Sequence, residues 1–166
     1  MEESLILGID PGSRCTGYGV IAVQGAHISC VDYGEIRTTA TLANTQLQKI
    51  DEELRAIIAK YQPDEAAIEK IFTFHNHQSA LKLGQARGVA LVAVSAFSIP
   101  LSEYSARQVK KAVVGYGAAS KIQIQHMVST LLHLKKLPAA DAADALAIAL
   151  CHATSRRLLN KLGINT

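Results

Sequence analysis

Two short apolar runs that each stop at a carboxylate constrain this chain more than any other feature. Leu5-Ile6-Leu7-Gly8-Ile9 ends at Asp10, with Pro11-Gly12 behind it, and Ala66-Ala67-Ile68 ends at Glu69. Apolar runs of this length closed by turn residues predict strands. In open α/β sheets the functional groups gather at the carboxyl ends of strands. If these two strands are neighbours, Asp10 and Glu69 share one edge. Asp141 and Asp144, three residues apart in the apolar stretch Ala140-Asp-Ala-Ala-Asp-Ala-Leu-Ala147, project from one face of a helix near its N-terminus. That helix needs only to cross the same edge to complete a cluster of four acids.

The remaining pattern supplies the scaffold. Residues 16–23 and 27–37 read as two more strands, and Leu47, Ile50, Leu54, Ile57 and Ile58 recur at helical spacing up to Tyr61. A helix is expected from Gln78 to Ala96, a short fifth strand at Ile99-Pro100-Leu101, and helices from Ala106, Ser120 and Ala139. Gly84 and Gly88 lie inside the helix expected from Gln78 to Ala96. Glycine in a helix costs about 1 kcal/mol relative to alanine, so a close approach by another backbone is expected there, with a subunit interface as the candidate. No Pro/Ser/Gly linker or repeat divides the chain, which predicts a single domain over 1–166. The fold class expected is α/β, a mixed five-stranded sheet flanked by helices.

Taken singly, each acid has a plain structural role open to it. Asp10 in Asp-Pro-Gly could nucleate a turn, Asp141 could favour a helix start through the macrodipole, and Glu69 could pair with Lys70. Asp144 is harder to explain this way, because Ala142, Ala143, Ala145, Leu146 and Ala147 surround it. Four carboxylates brought together repel strongly unless some are protonated or cations bind. Hard divalent cations take oxygen ligands and activate water for phosphodiester cleavage. The expectation is therefore a metal-dependent nuclease with two Mg²⁺ ions per subunit, Mn²⁺ as a substitute, and Asp10 bridging both.

Charge fits a polyanionic substrate. Seventeen Lys and Arg oppose fourteen acids, and setting four acids aside for metal leaves about +7 on the remaining surface. No acid occurs from Tyr104 to Ala140, where Arg107, Lys110, Lys111, Lys121, Lys135 and Lys136 fall. Such a one-sign stretch matches a phosphate-binding face, although a solvated helix face gives the same pattern. Cys15, Cys30 and Cys151 have no metal-ligand spacing and read as reduced, buried or half-buried thiols. No apolar stretch reaches membrane-spanning length, and the start Met1-Glu2-Glu3-Ser4 is acidic where a signal peptide is basic. A soluble, cytoplasmic protein with no membrane association is expected.

These residues also carry a family resemblance. Ile6-Leu-Gly-Ile-Asp-Pro-Gly-Ser-Arg14, Thr16-Gly-Tyr-Gly-Val20, Ala67-Ile-Glu69, Ser79-Ala-Leu-Lys-Leu-Gly-Gln-Ala-Arg-Gly-Val89, Ala106-Arg-Gln-Val-Lys110, Gln125-His-Met127 and the Ala140 to Ala147 stretch closely resemble the RuvC family of bacterial Holliday junction resolvases. The resemblance runs over nearly the whole chain. It implies an RNase H-like fold, a homodimer, Mg²⁺-dependent paired nicking of four-way DNA junctions during recombination and repair, and cooperation with the RuvA and RuvB branch-migration proteins. By position it implies that Asp10, Glu69, Asp141 and Asp144 are the catalytic metal ligands. It further implies DNA contacts by Phe72, Lys110 and Lys121, to which Arg107 is added from the same basic stretch.

The segment Phe72-Thr-Phe-His-Asn-His77 is richer in aromatics and histidine than that family's pattern. Phe72 suits a base-stacking role, Phe74 suits packing under the loop, and His75 and His77 read as exposed loop residues. His126 and His133, seven apart, read as a stripe on one helix with no carboxylate at metal spacing. Gly115-Tyr116-Gly117 is expected to be a flexible turn on the basic side. Rival readings are an actin-like ATPase, whose first phosphate loop is similar to the Leu7-Gly-Ile-Asp-Pro-Gly-Ser13 stretch but whose duplicated halves 166 residues cannot hold, a junction-binding protein that does not cut, and an RNA-processing nuclease of related type.

Overall fold

The computed structural model describes residues 3–39, 42–71 and 77–163. Phe72, Phe74 and His75 lie outside the described residues. Strands β1 (Ser4–Asp10), β2 (Cys15–Gln24) and β3 (His27–Arg37) form an antiparallel meander, followed by α1 (Ala43–Tyr61), β4 (Glu65–Glu69), α2 (His77–Ser95), β5 (Leu101–Tyr104), α3 (Ala106–Val114), α4 (Lys121–Leu131) and α5 (Ala140–Lys161). The sheet order is β3-β2-β1-β4-β5, with β4 and β5 parallel to β1. This is the mixed sheet flanked by helices that the pattern predicts.

Strand alternation sorts the core onto two faces. Leu7, Ile9, Val20, Ala66 and Ile68 pack against Ile50, Leu54 and Ile58 of α1 and Ala86, Ala90 and Ala93 of α2. Ile6, Ile21 and Ala67 face the other way, against Leu146, Ala149 and Leu150 of α5 and Val109, Ile124 and Val128 of α3 and α4. Both acids inherit the second face by parity: Asp10 continues Ile6 and Gly8, and Glu69 continues Glu65 and Ala67. Because Ile9 pairs with Ile68 in the parallel β1–β4 ladder, Asp10 and Glu69 emerge side by side at the end of it.

Helix α5 reaches that edge because glycines clear its path. A Cβ on Gly17 would lie 1.9 Å from the Asp141 carbonyl oxygen, one on Gly8 2.1 Å from the Ala145 carbonyl oxygen, and one on Gly19 2.6 Å from Leu146 Cδ2. No side chain fits in those gaps, so the helix rests directly on the sheet. Its far end is tied down by polar contacts. His152 Nδ1 lies 2.8 Å from the Tyr104 hydroxyl and its Nε2 lies 2.7 Å from Glu65 Oε2, while Arg156 pairs with Glu65 and donates to Ser4 Oγ. Burial alone would raise the Glu65 pKa, but hydrogen bonds from His152 and Arg156 bring it below the usual range.

Two sequence expectations change. The fifth strand begins at Leu101, not Ile99, because Pro100 lacks an N–H to donate to a ladder; its carbonyl instead accepts from Ala66 N. His126 and His133 do not share a helix: α4 ends at Leu131, and His133 stands beyond it with φ +50°. Both are exposed, as is His77 at the first position of α2. Cys15 and Cys30 are half-buried and Cys151 is buried, all as free thiols. Among the described residues no helix is long and apolar enough to cross a membrane.

Candidate active site at the carboxyl edge of the sheet

Carboxylate oxygens of Asp10, Asp141 and Asp144 all lie within 4.8 Å of one another. Asp10 comes from the end of β1, and the other two come from the first two turns of α5. Glu69, at the end of β4, completes the group across the ladder and lines a cleft of about 260 Å³ together with Asp10, Asp144, Lys110 and Lys121. All four predicted acids therefore meet at one edge. The Asp-Pro-Gly turn does not use the Asp10 carboxylate for its closure: Gly12 N donates to Thr16 Oγ1, and that hydroxyl donates back to the Gly12 carbonyl. Freed from the turn, Asp10 faces the other acids.

The energetic consequence is large. Burial, then the charges of Asp144, Glu69 and Asp141, push the Asp10 carboxyl up to about 8. Glu69 is raised by burial and by Asp144, with Lys121 and Lys110 acting the other way. Asp144 is raised by burial, which Lys121 partly offsets through a 3.4 Å contact. Half-buried carboxylates gathered so closely that burial and mutual repulsion push Asp10 up are a donor set suited to a hard divalent cation. Such cations would be held by Asp10, Asp141 and Asp144, with Glu69 at the margin of the group.

The basic residues divide. Lys110 on α3 lines the cleft and Lys121, the first residue of α4, crosses it to Asp144. Capping boxes at Ser105–Gln108 and Ser120–Gln123 fix the starts of both helices and hence these two lysines. Arg107 is exposed and leans on the Gly115–Gly117 turn, where a Cβ on Gly117 would meet its Cγ at 2.7 Å. It does not line the cleft.

Sequence reasoning missed two neighbours. The Cys15 thiol lies against Asp141, and burial and that carboxylate push it up to about 12. Together with Glu35 these groups form a second set whose ligand atoms lie within 4.8 Å of one another. Arg87 of α2 donates from Nε to the Glu69 carbonyl at 3.3 Å and from Nη2 to Glu103 at 2.6 Å. No local pattern marks either contact, since the partners are far apart in the chain.

A mixed five-stranded sheet with an acid cluster at its carboxyl edge and lysines on the rim defines a nuclease of the RNase H-like class. Residues 6–152 match the family model described as crossover junction endodeoxyribonuclease RuvC. The crossover junction endodeoxyribonuclease RuvC of Coxiella burnetii (strain Dugway 5J108-111) is 64% identical over 158 residues, covering 95% of this chain and 92% of that protein. Its counterpart in Shewanella sp. (strain W3-18-1) is 53% identical, covering 94% and 90%. The structure of T. thermophilus RuvC in complex with a Holliday junction substrate superposes with a TM-score of 0.87 at 34% identity, covering 93% of this chain and 96% of that one. The chain belongs to the RuvC family of crossover junction endodeoxyribonucleases. It is an endonuclease that resolves four-way DNA junctions, which sets aside the ATPase, the non-cutting binder and the RNA-processing enzyme.

Proposed function

We propose that Asp10, Glu69, Asp141 and Asp144 are the catalytic residues and hold two Mg²⁺ ions per subunit, with Mn²⁺ able to replace them, and that Asp10 is shared between the two. The observation that carries this reading is geometric: carboxylate oxygens of Asp10, Asp141 and Asp144 lie within 4.8 Å of one another, and Glu69 shares a cleft with Asp10 and Asp144, an arrangement that pushes the Asp10 carboxyl up and costs stability unless cations occupy it. When bound, the pair of ions supplies an activated water and neutralises charge on the phosphate under attack. The chain's own groups do the rest. Asp141 and Asp144 approach from α5 and Asp10 and Glu69 from the sheet, so the donor set is drawn from two packed layers, with Asp10, Glu69 and Asp144 opening onto the cleft. Lys110 and Lys121 place positive charge where a DNA backbone enters, and Lys121 exchanges its Asp144 partner for phosphate. Arg107 extends the same basic face outward, and Phe72 stacks on an unpaired base at the junction centre.

A four-way junction yields two intact duplexes only when cut symmetrically, and a two-fold dimer supplies two equivalent sites. We place the homodimer contact on α2, whose outer surface exposes Leu81 and Val92. Neither Gly84 nor Gly88 has anything within 4 Å of where a Cβ would sit, so their small size is unused within one chain and is open to a second copy. The protein acts in the cytoplasm with the RuvA and RuvB branch-migration proteins.

The DNA cleft is tested through salt. In an Asp10→Asn background that binds without cutting, Lys121→Ala should lower the slope of log affinity against log salt by about 0.9, one phosphate contact, while preference for a four-way junction over linear duplex persists. Equilibrium fluorescence anisotropy from low to moderate salt measures both, and an unchanged slope would remove Lys121 from the DNA interface.

A further inference from the structure

We propose that Arg87 is a positioning residue for cleavage, holding the end of β4 so that the Glu69 carboxylate stays in the acid cluster. Three observations converge on it. First, β4 ends at Glu69, and on its β1 side the partner strand ends at Asp10 and continues into Pro11. Proline carries no N–H, so the neighbouring chain offers no ladder donor at that point. Second, Arg87 supplies a donor from outside the sheet: its Nε reaches the Glu69 carbonyl at 3.3 Å. Third, the guanidinium is itself oriented, because Nη2 pairs with Glu103 of β5 at 2.6 Å and the side chain is only 18% exposed.

A planar guanidinium held at one edge by a carboxylate presents its other donor in a fixed direction. Arg87 therefore pins the strand ends of β4 and β5 to α2 with one side chain. The residues after Glu69 leave the sheet at Lys70, whose N–H donates to the Tyr104 carbonyl. Between that bond on the β5 side and the Arg87 bond, the Glu69 backbone is fixed from two directions. Its carboxylate then has only side-chain torsions left to vary. Misplacement of a reacting group by about 1 Å can cost about 100-fold in rate.

The inference rests on Glu69 being a metal ligand, and the experiment separates the two. Arg87→Ala, Arg87→Lys and Glu103→Gln are compared with wild type and with Glu69→Gln, which removes the carboxylate itself. For each, Mn²⁺ binding by calorimetry, junction affinity, and single-turnover cleavage with KM and kcat resolved are measured, along with the melting curve. Arg87→Ala should lose about 10- to 100-fold in kcat and several-fold in Mn²⁺ affinity, with junction affinity unchanged. Added guanidinium at millimolar concentration should restore part of kcat. Arg87→Lys, which can still donate one bond, should fall between, and Glu103→Gln should show a smaller loss in the same direction.

A fall in junction affinity with Mn²⁺ affinity and kcat intact would overturn the proposal and make Arg87 a DNA contact. A drop in melting temperature alone, without rescue by guanidinium, would make it a packing residue. Should Arg87→Ala fail to fold, Arg87→Lys and Glu103→Gln decide by the same criteria. If Glu69→Gln leaves Mn²⁺ binding and kcat untouched, the metal role of Glu69 fails, whatever Arg87 does.

Discussion

Asp10→Asn should abolish junction cleavage while making the metal-free protein more stable. The two effects have one cause. In the metal-free fold, burial and three neighbouring acids hold the Asp10 carboxyl at about 8, against 3.8 for the free side chain. A carboxyl whose folded pKa is raised keeps its proton in the folded state over a range where the unfolded chain has already lost it. Stability then falls as pH rises from about 4, and the fall levels off above about 8. Each unit by which a pKa moves is worth about 1.4 kcal/mol, so removing the ionisable group should recover on the order of 2 to 5 kcal/mol at pH 8. For a chain of this length that is a rise of about 4 to 20 °C in Tm. At pH 4 the two proteins should melt nearly together. Mg²⁺ should raise the Tm of wild type and leave that of Asp10→Asn much less changed. Cleavage should fall roughly 1,000-fold or more, since several kcal/mol of charge stabilisation in the transition state depend on this group. Melting curves at pH 4 and pH 8, with and without Mg²⁺, check the stability half. An Asp10→Asn protein no more stable than wild type at pH 8 without metal would show that the acids do not strain the fold.

Gly17→Ala should inactivate the enzyme from a position that carries no chemistry. The added methyl would sit 1.9 Å from the Asp141 carbonyl oxygen and 2.4 Å from its carbonyl carbon. Both are backbone atoms of the helix, so no side-chain rotation relieves the contact and the start of α5 must lift. Overpacking of this kind costs about 1 to 3 kcal/mol, and lifting α5 moves Asp141 away from Asp10. We expect kcat to drop about 100-fold or more, with far-UV circular dichroism retained and Mn²⁺ affinity reduced. Gly19→Ala makes the informative contrast. Its closest obstacle is the Leu146 side chain, farther along the helix, so a comparable loss of stability should come with a smaller loss of activity. Equal activity losses for the two variants would mean that α5 tilts as a rigid whole and is not displaced locally at the site.

Much of the site was legible because strand periodicity and strand ends are local properties. Asp10 and Glu69 could be placed at the ends of β1 and β4 from the apolar runs alone, and their alternation with Ile6, Gly8 and Ala67 decides the face they share. Asp141 and Asp144 follow from helical spacing. What sequence reading lost depends on contacts between distant segments. Gly17 and Gly19 read as ordinary strand residues until α5 is seen lying across them. Arg87 sits on a helix whose pattern reveals a buried face through Ala86, Ala90 and Ala93, yet gives no hint that the arginine reaches back to Glu69. The fifth strand starts two residues later than the apolar pattern suggests, because an edge strand as short as Leu101–Tyr104, with polar Ser102 and Glu103, has little apolar alternation to mark its start. Lys110 and Lys121 follow from the family resemblance and Arg107 from the basic stretch around them; the packing of α3 and α4 on α5 then puts the two lysines, and not the arginine, on the cleft.

The central claim is that one acid cluster per subunit cuts one strand of a four-way junction, two subunits acting together. The most direct measurement maps the nicks on a synthetic four-way junction with each strand end-labelled in turn, in Mg²⁺, beside a linear duplex of the same sequence and a matched RNA. Nicks are expected at symmetry-related positions on two opposite strands of the junction, none on the duplex or the RNA, and none with Asp10→Asn although it still binds. Cuts scattered over all four strands, or cleavage of the linear duplex at a similar rate, would contradict that claim.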